Sequence, residues 1–369
     1  MSGFPVEMES IINLINAVDP KRYAGTRNYI NGSVTRLSPF ISRGVISTRQ
    51  VLESLINRGF TFNQVEKLVQ ELAWRDYYQR VWQSLGDQIN RDIKQPQDLV
   101  NHFQLPSALP QAATGIEAVD DSIRELFETG YMHNHCRMYL AGIACNVGRA
   151  HWLKPARWMY YHLLDGDWAS NALSWQWVAG SFSSKKYVAN QENINKYTSS
   201  SQKKSFLDIS YEQFPIQEIP ASLQKTDAAD FTTNLPLNQP ALQLEESQPI
   251  LLYNYYHLDP LWRKGEEGNR VLLLEPEIFE AYPISDACLN FMLSLAGQIP
   301  GTQLLVGSFA DLQKQAGDRQ IIYREHPLNR HYRGLEDPRE WMVPEVSGYH
   351  PSFFSYWKKV ERVLRKKFN

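Results

Sequence analysis

The chain has 369 residues, 43% of them hydrophobic and 12% aromatic, with a formal net charge of -2. That length allows two or three domains with real cores, and that charge excludes nucleic-acid binding by bulk electrostatics. Its three cysteines, Cys136, Cys145 and Cys288, cannot supply a four-thiolate iron–sulfur cluster and show no metal spacing. They suit a reducing cytosol. The N-terminal MSGFPVEMESIINLINAVD is acidic and lacks the layout of a secretory signal. No apolar run is long enough for a membrane-spanning helix, so a cytoplasmic protein is expected. Residues 1–200 hold 20 Lys+Arg against 18 Asp+Glu, so a DNA contact would have to be a local patch.

Residues 1–200 read as helices. VISTRQVLESLINRG and FNQVEKLVQELAWRDYYQRVWQSL place apolar residues at i, i+3, i+4 and i+7. IEAVDDSIRELFETG follows, with Gly130 as its stop, then NHCRMYLAGIACNVGRA and ARWMYYHLLDGD. Seven of the ten tryptophans fall before residue 180, a density that suits core packing as well as stacking or electron transfer. Residues 201–248, rich in Ser, Gln and Pro, read as a linker with some ordered packing around Phe206 to Phe214.

Residues 249–369 read as a small α/β domain. PILLYNYYHL, NRVLLLEP, TQLLVGSF and QIIYREHP are short apolar runs of the buried-strand kind. SDACLNFMLSLAGQI has helical period, with Ser285 as its N-cap. PSFFSYWKKVERVLRKKFN reads as a basic amphipathic helix, whose charge run is more often a solvated face than a binding site.

Three stretches, taken together, resemble the FAD-binding domain of the photolyase/cryptochrome family: YAGTRNYINGSVTRLSPFISRGVIS (23–47), ELAWRDYYQRVW (71–82), and 114–138 continuing through HWLKPARWMYYHLLDGDWASNALSWQW (151–177). The fold this implies is mainly α, an all-helical FAD-binding domain followed by the small α/β domain. The family's usual N-terminal antenna domain is not found ahead of the helices. Residues 249–369 are read as a shortened antenna-like domain at the other end, with the antenna chromophore unknown.

The resemblance carries roles onto individual residues. Tyr23, Thr35, Leu37 and Ser38 match positions that hold the phosphates, where hydroxyls and backbone N–H groups suit an anion. Taken alone, TRLSP reads rather as an ordinary capped helix start, and Val34-Thr35 stands where the family usually has Thr-Ser. Arg75, Asn134, Arg137, Asp165, Asp167 and Asn171 match the polar wall around the flavin, Arg137 as the partner of a carboxylate and Asn171 beside flavin N5. Without the family, Asp165 and Asp167 read as helix caps around Gly166.

Glu71, Trp74, Asn134, Met138 and Trp177 match the pocket that takes a flipped pyrimidine dimer, with the tryptophans stacking and Glu71 accepting from the bases. Trp74 and Met138 also fit as core residues at helical spacing. Trp175 and Trp152 match the proximal and middle members of an electron relay. The distal position falls on Leu109, with Trp158 or Tyr160 as candidates to stand in for it. The segment after Trp177 lacks the family's RIFNP-like continuation. It resembles instead the stretch seen in bacterial iron–sulfur photolyases, without their cysteines.

The implied function is light-driven, FAD-dependent repair of cyclobutane pyrimidine dimers, with damaged DNA as partner. The alternatives are a cryptochrome-like blue-light receptor without repair activity and a flavin protein with neither role.

Overall fold

The structure is a computed structural model that describes residues 3–368 apart from Asn238. The helical stretch opens with Met8–Asn16 (α1), Pro20–Thr26 (α2), Ser38–Ser42 (α3), Thr48–Asn57 (α4) and Phe62–Leu85 (α5). A two-residue strand, Leu105–Pro106 (β1), precedes Glu117–Thr129 (α6), Asn134–Gly142 (α7), Leu153–His162 (α8), Trp168–Ala179 (α9) and Gln191–Thr198 (α10). Ala221–Gln224 (α11) and Thr226–Asp227 (β2) follow.

Then come Ile250–Tyr253 (β3), Asn269–Leu274 (β4), Pro276–Ala281 (α12), Asp286–Ala296 (α13), Gln303–Val306 (β5), Phe309–Ala316 (α14), Ile321–Arg324 (β6), Leu335–Asp337 (β7) and Phe353–Lys367 (α15).

The chain forms two compact units, each from discontinuous stretches. One holds 19–34 and 85–231; the other holds 3–18, 35–84 and 232–369. These units do not follow the division at 200 and 249 read from the sequence. Helical periodicity shows that 48–85 is helical but carries no sign of which distant residues its apolar face meets.

Local chemistry sets the ends of these elements. α5 runs uninterrupted because no Gly or Pro occurs between Phe62 and Leu85, and Gly86 with φ 55° follows it. α4 starts on a capping box in which Ser47 and Gln50 satisfy each other's backbone N–H groups. α6 stops at Gly130, which adopts φ 70°. The Ser285 hydroxyl caps α13 as the sequence indicates.

In the first unit the core gathers large aromatics, with Trp152, Trp158, Trp168 and Trp175 all fully buried. The all-helical reading misses one small ladder there. β1 and β2 pair antiparallel, Leu105 opposite Asp227 and Pro106 opposite Thr226. Two-residue strands carry no alternation, so nothing in the sequence announces them.

In the second unit five strands form a parallel sheet in the order β5-β4-β3-β6-β7. All four apolar runs read as strands take their places in it, and β7 is added, too short and too exposed to stand out. Side chains alternate along each strand. Ile250, Leu252, Val271, Leu273, Ile321 and Tyr323 make one face, packed on Phe309, Leu312 and Ala316 of α14. Leu242 and Leu244, from the segment read as a linker, close over the same face.

The strand order reverses between β3 and β6, where an open parallel sheet ordinarily takes a ligand beyond its carboxyl ends. Here that crevice is filled by the unit's own side chains. Tyr256 stacks on His326 with centroids 4.3 Å apart, Asn254 donates to Asn329 (3.0 Å), and the Arg43 guanidinium lies 3.5 Å over Tyr255.

Candidate functional site

Ten of the candidate residues belong to the first unit and six to the second, and each set is described within its own unit. In the first, α7 carries Asn134, Arg137 and Met138 at i, i+3 and i+4, so they share a helix face. Asn134 is exposed, while Arg137 and Met138 are half-buried. His133 caps this helix, its Nδ1 accepting from the His135 N–H at 3.2 Å. Burial, then the nearby His135 and Arg137 charges, hold the His133 imidazole down at about 4.

Arg137 Nη2 donates to both carboxylate oxygens of Asp165, at 3.0 and 2.9 Å, and its Nε donates to Met132 O at 2.8 Å. The Asp165 side chain is 4% exposed, so its charge is balanced by a partner that reaches the surface. Gly166 follows, where an added Cβ would lie 2.9 Å from Leu163 O. Only glycine lets the chain turn this tightly between the two acids.

Asp167 is the N-cap of α9, accepting from the Ser170 N–H at 2.7 Å, so the capping role open to it in the sequence is one it fills. Asn171 Nδ2 donates to Ala156 O at 2.8 Å, tying α9 to α8. The Ser170 hydroxyl is buried without a hydrogen-bond partner among the described residues. Buried polar atoms are nearly always paired, and an unpaired one at a helix N-terminus fits the polar edge of a ligand. Balanced acid, amide and spare hydroxyl together fit a group with a hydrogen-bonding ring edge and a hydroxylated chain, as FAD has.

Further along α9, Trp175 is fully buried, and Trp177 is half-buried with its ring 6.0 Å from that of Tyr187. Trp152 is fully buried, and its indole Nε1 donates to Asp92 Oδ1 at 2.7 Å. Asp92, which also lies 3.4 Å from His151 Nε2, carries no motif that sequence reading could have caught. Leu109 is fully buried, an aliphatic core position. Trp158, read as a stand-in for the missing distal aromatic, packs edge-on against Phe127 at 6.1 Å. Tyr23 sits half-buried on α2.

In the second unit, Leu37 is buried at the start of α3, and its N–H reaches Thr35 Oγ1 at 3.4 Å. Thr35 and Ser38 are half-buried, and Arg36 takes a left-handed φ of 52°. Arg75 Nη1 donates to Ser42 Oγ at 2.9 Å. Glu71 and Trp74 stand on α5, both half-buried. One face of Trp74 is already occupied, because Phe353 of α15 stacks on it at 3.6 Å and 8°. At most one face of the indole remains open.

Among the described residues no group of His, Cys, Asp and Glu is arranged to hold a metal ion. No helix described is long and apolar enough to cross a membrane. All three cysteines are free and buried.

Residues 68–208 match the model of the FAD binding domain of DNA photolyase. That span includes every candidate from Glu71 to Trp177 and leaves out Tyr23, Thr35, Leu37 and Ser38. A deoxyribodipyrimidine photo-lyase of a Synechococcus strain is 34% identical over 194 residues, 48% of this chain and 40% of that one. The same enzyme name attaches to a Thermus thermophilus protein, 34% identical over 164 residues, 43% and 38% of the two chains. The chain thus spans about two fifths of the length of these curated relatives.

Among solved structures, a Synechocystis cryptochrome aligns with TM-score 0.46 and 23% identity, over 53% of this chain and 44% of that one. A class III photolyase from Agrobacterium tumefaciens aligns with TM-score 0.41 and 27% identity, over 47% and 37%. Over residues 68–208 the chain therefore carries a segment of the FAD binding type found in DNA photolyase.

Proposed function

We propose that this protein repairs cyclobutane pyrimidine dimers in DNA, using FAD and blue light. The observation that carries the reading is the Arg137–Asp165 pair, set beside Asp167 and Asn171 inside the segment that matches the FAD binding domain of DNA photolyase. The chemistry supplied when FAD is bound is light-driven one-electron transfer, for which the protein contributes position and electrostatics.

In this reading Asp165, Asp167, Asn171 and Arg137 orient the ring and its sugar chain, with Arg137 offsetting the buried charge. Tyr23, Thr35, Leu37 and Ser38 hold phosphate, and Arg75 extends the polar wall. Asn134, Met138 and Trp177 receive the dimer, with Glu71 accepting from its bases and Trp74 offering its open face. Trp175 passes electrons inward, with Trp152 behind it. The Asp92 carboxylate on the Trp152 indole is placed to accept the indole proton when that ring is oxidised.

One observation favours the second reading, a blue-light receptor without repair. Phe353 already covers one face of Trp74; the aliphatic Leu109 at the distal relay position is a second observation on the same side. The deciding experiment supplies a dimer-containing oligonucleotide to the reduced, flavin-loaded protein, with and without blue light. Light-dependent return of intact pyrimidines is the expected outcome. Its absence with fully reduced flavin would leave the receptor reading standing instead.

A further inference from the structure

We propose that the outer face of α15 is a second DNA contact, one that grips the phosphodiester backbone without reading sequence. The inference rests on the DNA reading above and adds a surface that none of the family-matched residues supplies.

α15 buries Phe353, Tyr356, Trp357, Val360 and Leu364. At 100° per residue the opposite face carries Phe354, Lys358, Lys359, Arg362, Arg365 and Lys366. All six are exposed, Phe354 by 70%. One acid, Glu361, lies on the helix, and it is committed to Arg365 at 2.7 Å. Lys367 pairs with Glu345 at 3.2 Å. Among the described residues, Lys358, Lys359, Arg362 and Lys366 have no carboxylate partner. A row of uncompensated cations stands out on a chain of net charge -2.

Neither the helix dipole nor a membrane surface covers the row. Cations in a last turn offset the helix dipole, which accounts for Arg365, Lys366 and Lys367. It does not account for Lys358, Lys359 or Arg362, which lie earlier. A basic amphipathic helix can also lie on a membrane, but it does so by sinking its apolar face into lipid. That face of α15 is already buried in the protein. What remains is a cationic surface, and its match is a polyanion.

Position adds to charge. The helix begins at Phe353, the ring stacked on Trp74. Lys358, Arg362 and Lys366 then step away at about 6 Å intervals, some 12 Å in all. That spans about three to four phosphates of one strand at 3.4 Å each.

The test uses the full-length, flavin-loaded protein and an undamaged duplex oligonucleotide, with binding followed by fluorescence anisotropy between about 50 and 200 mM salt. The triple variant Lys358→Gln/Arg362→Gln/Lys366→Gln is expected to weaken binding about tenfold or more and to lower the salt slope by about 2.7. Glu361→Gln, which releases Arg365, is expected to tighten binding. Unchanged flavin content and thermal midpoint verify the fold.

If the triple variant keeps the wild-type affinity and slope, α15 is not the surface, while DNA binding itself stands. If the wild type does not bind DNA even at the lowest salt, the DNA reading fails and this inference with it. If the triple variant loses binding only to phosphatidylserine vesicles and not to DNA, the surface serves a membrane and the inference is overturned.

Discussion

At the scale of single residues, the acids around Gly166 divide their labour. Asp167 holds the start of α9, and Asp165 faces a guanidinium. Asp165→Ala leaves Arg137 without its carboxylate and should cost about 1–3 kcal/mol of stability. It should also lower flavin occupancy, read as the ratio of flavin to protein absorbance. Full occupancy in Asp165→Ala/Asp167→Ala would remove both from the flavin site.

Trp175→Phe keeps most of the buried bulk but is far harder to oxidise. Photoreduction of oxidised flavin should slow markedly in this variant with the same external reductant, and equal rates would remove Trp175 from the relay. His133 makes acid pH informative. Its folded value of about 4 lies below the ordinary 6.5, so the unfolded chain takes up a proton that the folded chain refuses. The stability this contributes is complete above about pH 6.5 and is lost as pH falls through the window to about 4. His133→Asn retains a capping oxygen and should flatten this fall, measured as urea midpoints at pH 7.5 and pH 5.

Among these residues, the pairing of Arg137 with a carboxylate was legible because family spacing carries it. The stacking of Phe353 on Trp74 was not, because nothing in ELAWRDYYQRVW refers to a residue so far along the chain. Asp92 on Trp152 was hidden for the same reason.

At the scale of elements, ends were legible wherever a residue type does a local job. Gly130 and Ser285 act within a few residues of themselves, and so does the capping pair Ser47 and Gln50, which the sequence reading did not single out. β7 and the β1–β2 ladder depend on partners instead, and their sequences say little. Gly130 has a second task beyond ending α6. Its carbonyl accepts from the Leu164 N–H at 2.9 Å, and a Cβ there would meet Leu164 Cγ at 2.4 Å. Gly130→Ala therefore combines a left-handed φ with a collision one residue before Asp165. A loss of about 1–3 kcal/mol is expected, with flavin binding weakened as the Leu164–Asp165 turn shifts. Chemical denaturation and flavin titration of the same preparation check both effects. Normal flavin affinity at reduced stability would show that the turn moves without disturbing the acid.

At the scale of the whole molecule, the helical and α/β characters of the two halves were legible, but the grouping of the chain was not. Periodicity reports which face of a helix is apolar and not what covers it. The Asp76 carboxylate on α5 accepts from Thr48 Oγ1 at 2.9 Å and from the Met342 N–H at 2.9 Å. Trp74 meets Phe353. A fragment ending at Phe231 removes Met342 and Phe353 and leaves a buried acid half-satisfied. Such a fragment should show fast amide exchange throughout α4 and α5 while α7 to α9 remain protected, measured by hydrogen exchange with peptide resolution. Native-like protection of α5 in the fragment would restore the boundary near residue 200.

The discontinuous second unit also imposes a timetable on synthesis. Its segments 3–18 and 35–84 leave the ribosome early, and their partner segment begins at Thr232. The intervening stretch of about 150 residues takes roughly 7–30 s at 5–20 residues per second. Throughout that delay Phe40, Val51, Leu55, Val65, Leu72 and Tyr77, all buried in the finished protein, have no sheet or α15 to meet. Nascent chains arrested before residue 232 should therefore be bound by trigger factor or Hsp70-type chaperones, and released once the last helix has emerged.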